Sequence, residues 1–187
     1  MKKLASILFP VILLTLSAAA QTPAPEVDKS PMDMSYYPSN YPMLKVQGKT
    51  NEPLIARVIY GRPQKNGRVI FGNLLEYGKI WRLGANEATE VEFFSNVKIG
   101  TTPVKKGRYT LYAIPDSARW TFVLNRDMYV WGSFIYNEKK DVLRLSVPVQ
   151  PQTEITETFS LFFEKAAKGF TLNAVWDNVK VVLPISL

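Results

Sequence analysis

The feature that most constrains the fold is a series of short segments in which apolar and polar residues alternate. From Leu54 to Tyr60 every second residue falls on the same face, the period of an extended strand, and the residue types are mostly β-branched and aromatic. Pro63 ends this segment, and Asn66-Gly67 supplies a turn because glycine can adopt a positive φ. The pattern therefore predicts strands joined by turns.

The same pattern recurs through the rest of the chain. Further strands are predicted at Thr89–Lys98, Arg108–Ile114, Arg119–Asn125, Val142–Val149, Thr156–Glu164, Phe170–Asp177 and Val179–Ser186. A tight turn at Asp177-Asn178 is predicted to separate the last two, and the prolines between Tyr36 and Met43 argue against a regular helix there.

Strands without crossover helices predict an all-β protein, an antiparallel β-sandwich or flattened barrel of about eight to ten strands with little helix. Apolar residues on the alternating faces of these strands are expected to form much of the core. These are Trp120, Phe122, Leu124, Phe159, Leu161, Phe163, Phe170, Leu172 and Trp176.

The N-terminus has the order of a secretory signal peptide. Two lysines precede an apolar run from Leu4 to Leu16, and three alanines follow before Gln21. The apolar run is too short for a stable membrane anchor, so we expect residues 1–20 to be removed. The protein is then periplasmic or secreted from a bacterium, without a stable membrane anchor.

Residues 21–35 are rich in proline and small polar residues, which predicts a flexible leader before a single β-sandwich domain at 36–187. The chain has no cysteine, so disulfides cannot stabilise it. A domain of this length can bury a sufficient core without them.

Composition excludes several classes of function. Without histidine or cysteine the chain cannot form a Ser-His-Asp triad, a thiolate nucleophile or a histidine-liganded zinc site, and we expect no metal or cofactor. The formal net charge is +7, or +5 once Lys2 and Lys3 are removed, but the basic residues are scattered. Nucleic acid is therefore not an expected partner, whereas small anions are.

Several sequence strings resemble a bacterial family catalogued as domain of unknown function 2911. They are Gly61-Arg62-Pro63, GRVIFG at 67–72, YGKIWRLGANEAT at 77–89, Gly107–Leu111, Trp131-Gly132 and Asp141–Arg144. The resemblance covers nearly the whole chain from about Ser30, and WR-x-GANEAT is its most specific part. Gln64 and Leu83 replace the hydroxyl residues common in the family. The resemblance implies a shape but no catalytic residues.

The densest group of polar residues lies within this signature. Arg82, Asn86 and Glu87 could line a pocket for a polar ligand, with Tyr77 and Trp81 as stacking surfaces. Alternatively, an Arg82–Glu87 ion pair and a turn at Asn86 hold one corner of the sandwich together.

A second group consists of Arg62, Arg68 and Arg82, which could clamp a carboxylate, sulfate or phosphate. Arg62 and Arg68 could equally brace their own turn. Trp131 and Tyr136 could form a carbohydrate platform, but aromatic side chains tucked over one end of the sandwich are the favoured interpretation.

These residues favour an exported binding or accessory module that recognises a small polar or anionic ligand or an envelope component. Nothing in the pattern defines a catalytic set, so a binding protein is favoured over an enzyme. One alternative is a glycosidase-like hydrolase with Glu87 as its catalytic carboxylate, which needs a second carboxylate across a cleft. A second alternative is a structural or assembly protein without a small-molecule site. The sequence does not predict an oligomeric state.

Overall fold

The computed structural model describes residues 23–187, so the predicted signal peptide at 1–20 lies outside the described residues. In chain order, the elements are β1 (Met32–Tyr37), α1 (Tyr41–Val46), β2 (Ala56–Gly61), β3 (Glu90–Phe93), β4 (Val97–Ile99), β5 (Thr102–Val104), β6 (Gly107–Pro115), β7 (Arg119–Asn125), a 3₁₀ turn (Glu138–Lys140), β8 (Asp141–Ala166) and β9 (Gly169–Ser186). Within the described residues no helix is long and apolar enough to cross a membrane.

The strands form one nine-stranded antiparallel sheet in the order β1-β2-β3-β6-β7-β8-β9-β4-β5. The sheet folds over on itself, because the chain leaving β2 pairs with the middle of β8. Gln64 forms a bridge with Thr158, and the amide of Phe159 donates to the carbonyl of Pro63 at 2.9 Å. This architecture confirms the predicted all-β antiparallel fold with little helix.

Several of the strand predictions are wrong. The strand predicted at Thr89–Lys98 is divided into β3 and β4, which lie apart in the sheet. β8 and β9 are continuous where the sequence predicts four shorter strands, and the expected turn at Asp177-Asn178 does not form. Asp177 does have a φ of 54°, but only as an irregularity within β9. Opposite it, the β8 pairing shifts between Pro151 and Thr156 and again before Ser160. These shifts in register are β-bulges or similar irregularities, which accommodate turn-forming residues while the strand continues.

Two differences occur near the start of the described chain. The predicted leader overlaps β1, whose Met34 pairs with Ile59 of β2, so the sheet begins before residue 36. The expectation that prolines prevent a helix between Tyr36 and Met43 is also wrong, since α1 begins at Tyr41. Pro42 lies in the first turn of α1, where the backbone N–H has no helical partner to lose.

The main core lies inside the folded sheet and contains all nine predicted core residues. Aromatic rings dominate its centre: Trp81 stacks on Trp176 with ring centroids 6.0 Å apart and meets Trp120 edge-on at 5.7 Å. Such contacts add to the free energy gained by burying the rings.

A smaller cluster packs on the opposite face of β6 and β7. It consists of Ala88, Tyr112, Val123 and Val130, so the loop that follows β7 covers this face. Burial, with added repulsion from nearby carboxylates, raises the pKa of Tyr112 to about 12. Burial of its side chain in this cluster fixes Val130, although the neighbouring Tyr129 and Trp131 are exposed.

Candidate functional site

The signature segment Trp81–Thr89 is a loop whose two ends are both hydrogen-bonded to β6. Trp81 and Ala113 exchange backbone hydrogen bonds of 2.7 and 2.9 Å, and the amide of Leu111 donates to the carbonyl of Thr89 at 2.8 Å. The Thr89 hydroxyl donates to the carbonyl of Leu83 at 2.6 Å and closes the loop. The loop is thus held by its own hydrogen bonds before any ligand binds.

The residue types within this loop follow from its backbone. Leu83 and Asn86 have φ angles of 54° and 61°, and asparagine tolerates this left-handed region better than most residues. Gly84 has no room for a side chain, because a Cβ there would lie 2.9 Å from the carbonyl oxygen of Gly61. The turn that Gly84 and Asn86 predict is therefore present, and it packs directly against β2.

One side of the loop borders a cavity of about 290 Å³. Its lining residues come from four parts of the chain and include no carboxylate among the described residues. They are Ser30, Pro63, Arg68, Leu74, Leu75, Trp81, Arg82, Gly84, Ala85, Asn86 and Trp176. Two guanidinium groups and no acid make this cavity electropositive.

Arg82 is half-buried at the wall of this cavity, and its burial lowers the pKa of the guanidinium. Its Nε donates to the carbonyl of Gly84 at 3.2 Å, and the side chain forms no ion pair with any residue of 23–187. The structural Arg82–Glu87 pair considered from the sequence is therefore not formed. Both terminal nitrogens remain available to an anion.

The other two arginines of the predicted clamp differ in position. Arg68 lines the cavity while its Nε donates to the carbonyl of Lys65 at 2.9 Å, so it both braces its turn and faces the site. Arg62 instead forms an ion pair with Asp33 at 2.8 Å and donates to the hydroxyl of Ser160 at 2.9 Å. Arg62 joins β1 to β8, so the prediction of a three-arginine clamp is wrong for this residue.

Tyr77 and Glu87 lie outside the arginine-lined cavity. Tyr77 lines a separate surface cavity with Phe71 and Val179. Glu87 lines a cavity of about 470 Å³ together with Glu90 and Trp131. Of the seven predicted ligand-binding residues, the structure thus brings together Arg68, Trp81, Arg82 and Asn86.

The hydrolase alternative requires a second carboxylate near Glu87. Glu90 lines the same cavity, but it lies 3.6 Å from the guanidinium of Arg108, which partly neutralises it. No group of three potential acidic, histidine or cysteine ligands for a metal occurs within residues 23–187. Hydrolysis by Glu87 stays a prediction.

The favoured interpretation of the aromatic loop is right for Tyr136 and wrong for Trp131. Tyr136 is half-buried and donates its hydroxyl to Asp141 at 2.7 Å. Trp131 remains 58% exposed, and neighbouring Tyr129 is 81% exposed. Sequence reasoning also missed Trp176 as a wall of the arginine-lined cavity, since only the fold brings β9 next to the signature loop.

The fold and the cavity define an all-β protein in which Arg82 of the signature loop and Arg68 of a neighbouring turn line an electropositive pocket. The chain belongs to the family described as Protein of unknown function (DUF2911), which it matches over residues 42–185. The resemblance seen in the sequence is therefore confirmed. Comparisons with curated proteins and with solved structures gave no match.

Proposed function

We propose that the protein is an exported binding module for a small anionic ligand, held in the arginine-lined cavity. The observation that carries the proposal is the half-buried guanidinium of Arg82, which no carboxylate of residues 23–187 neutralises. A partly desolvated cation is costly to maintain without a counter-charge. A ligand anion would supply that charge.

The cavity also suggests the kind of anion. A guanidinium can bind the two oxygens of a carboxylate, sulfate or phosphate through parallel hydrogen bonds. The Asn86 side chain makes no hydrogen bond within the described residues and could add a donor or an acceptor. The indoles of Trp81 and Trp176 provide an apolar wall. A volume of about 290 Å³ suits a small ligand that combines one acidic group with a compact body.

The decisive experiment compares ligand-induced stabilisation of the wild-type protein and Arg82→Gln. We expect one or more of acetate, citrate, glucuronate, sulfate, inorganic phosphate and sugar phosphates to raise the melting temperature. At 100 times its dissociation constant a ligand adds about 2.7 kcal/mol. Arg82→Gln should weaken binding about 10- to 100-fold, because a hydrogen bond to a charged group contributes about 1.5 to 3 kcal/mol.

The matched control is Arg126→Gln, which removes an exposed arginine that does not line this cavity. Both variants lose one positive charge, but Arg126→Gln should leave the ligand-induced shift in melting temperature unchanged. Equal losses in the two variants would mean that the anion binds through net charge alone. The absence of any stabilising anion would remove the basis of the proposal.

Export is the second part of the proposal, and the order of charged, apolar and small residues in 1–20 supports it. In a bacterial host, we expect the protein in the periplasm or the medium, shortened by about 20 residues. Fractionation followed by N-terminal sequencing measures both. Replacing Leu13 and Leu14 by arginine should leave the full-length chain in the cytoplasm, and a chain that is processed normally despite these charges would contradict a signal peptide.

A further inference from the structure

A second cavity lies on the other side of the signature loop and has the opposite charge character. It measures about 470 Å³, and its lining residues include Glu87, Glu90, Tyr129, Trp131 and Met32. No lysine or arginine lines it. Asn86 and Glu87 are adjacent in the chain, yet they border the two different cavities.

Backbone pairing places Glu87 directly opposite Trp131. The two residues form an antiparallel bridge. Glu87 and Trp131 form no backbone hydrogen bond with each other. On either side of the pair, the amide of Gly132 donates to the carbonyl of Asn86 at 2.9 Å and the amide of Ala88 donates to the carbonyl of Val130 at 2.8 Å. This is a non-hydrogen-bonded pair, in which Cα atoms approach to about 4.5 Å and the side chains share one face.

The negative charge of Glu87 has no partner within residues 23–187: its side chain takes part in no ion pair and no hydrogen bond there. Glu90, by contrast, accepts a long hydrogen bond of 3.4 Å from the amide of Tyr129 and lies near Arg108. Glu87 is exposed to solvent, so its charge is hydrated, and it is the carboxylate of the cavity that has no partner among the described residues.

The two exposed aromatic side chains lie on a loop whose backbone is held in place. Val130 is buried in the small cluster, which turns Tyr129 and Trp131 outward on either side of it. Gly132 has a φ of 66°, and a Cβ there would lie 2.7 Å from the ring of Phe134. The backbone of this loop is thus fixed before a ligand binds, and binding has to order only the two exposed side chains.

We propose that this cavity binds a small organic cation, namely a quaternary ammonium group with a compact apolar body. Glu87 is its counter-ion, and the faces of Trp131 and Tyr129 contact the ammonium group. A cation over an aromatic ring is attracted by the quadrupole of the ring, and tryptophan is the strongest partner. Methyl groups around the nitrogen bury apolar surface against Met32, which a hydrated metal ion could not do.

The test titrates the purified protein with choline and with its carbon isostere, in which a quaternary carbon replaces the nitrogen. Calorimetry measures the affinity for choline. Tryptophan fluorescence shows whether choline binds next to Trp131, because Trp131 is exposed while Trp81, Trp120 and Trp176 are buried. We expect choline to bind at least tenfold more tightly than the isostere and to change the Trp131 emission. Equal affinities would overturn the proposal, since they indicate an apolar groove that does not recognise charge.

Two variants locate the site. Glu87→Gln removes the charge with little change in shape, and Trp131→Ala removes the ring; each should weaken choline binding at least tenfold. The control, Glu154→Gln, removes an exposed carboxylate outside the cavity and should bind choline normally. Circular dichroism verifies that all three variants fold. Choline binding that is absent from the wild-type protein, or unchanged in Glu87→Gln, would disprove the assignment.

Discussion

Replacing Trp81 by alanine is expected to lower the free energy of unfolding by about 3 to 5 kcal/mol, the range for losing a large aromatic side chain from a core. The indole is 6% exposed and packs against Trp120, Phe159 and Trp176 at centroid distances of 5.7, 5.1 and 6.0 Å. Its Nε1 also donates to the carbonyl of Gly84 at 3.1 Å. The variant thus loses packing inside the core and one hydrogen bond of the signature loop.

Urea denaturation, followed by far-ultraviolet circular dichroism, measures this loss. Trp131→Ala is the matched control, because the same side chain is removed from an exposed position. It should change stability by less than about 0.5 kcal/mol. Trp81→Phe should fall between the two, since it keeps an aromatic ring but no indole N–H. Similar losses for Trp81→Ala and Trp131→Ala would contradict the assignment of Trp81 to the core.

The local pattern of the sequence predicts the strands and core well because burial in a strand is itself local. Tyr112 and Val123 face one side of β6 and β7, while Leu111 and Leu124 face the other, as the alternation requires. The lengths of β8 and β9 could not be predicted in this way. A residue such as Asp177 fits either a turn or a bulge, and the pairing of the two long strands decides between them.

The candidate sites were predictable only in part, for a similar reason. The signature string predicts a turn at Gly84 and Asn86, because these residue types suit an unusual backbone. Which side chains share a cavity depends on distant partners. Arg62 forms an ion pair with Asp33, which lies in the predicted leader. Glu87 lines the other cavity because its backbone pairs with that of Trp131.

The two cavities have opposite charge characters although only one short loop separates them. Arg82 and Asn86 line one cavity, and Glu87 lines the other. A loop of this kind keeps its side chains apart only if its backbone cannot shift. The close approach of the loop to Gly61 is the contact that fixes it on β2.

Gly61→Ala is therefore expected to destabilise the protein by about 3 kcal/mol, at the upper end of the usual cost of overpacking. A Cβ at Gly61 would overlap the carbonyl oxygen of Ala85 and lie 3.0 Å from its carbonyl carbon. Both obstructing atoms belong to the backbone, so a change of rotamer cannot relieve the clash. Either β2 or the signature loop must move, and in both cases Arg82 loses its position in the cavity.

Gly67→Ala separates this steric effect from the general cost of adding a methyl group to a glycine. Gly67 has a φ of 70° and nothing within 4 Å of its Cβ position, so only backbone strain opposes the substitution. That strain costs about 1 to 2 kcal/mol. In urea denaturation Gly61→Ala should be the less stable variant, and it should bind the anion more weakly than the wild-type protein. If Gly61→Ala were as stable as Gly67→Ala, the contact between β2 and Ala85 would not hold the loop, and the separation of the two cavities would need another cause.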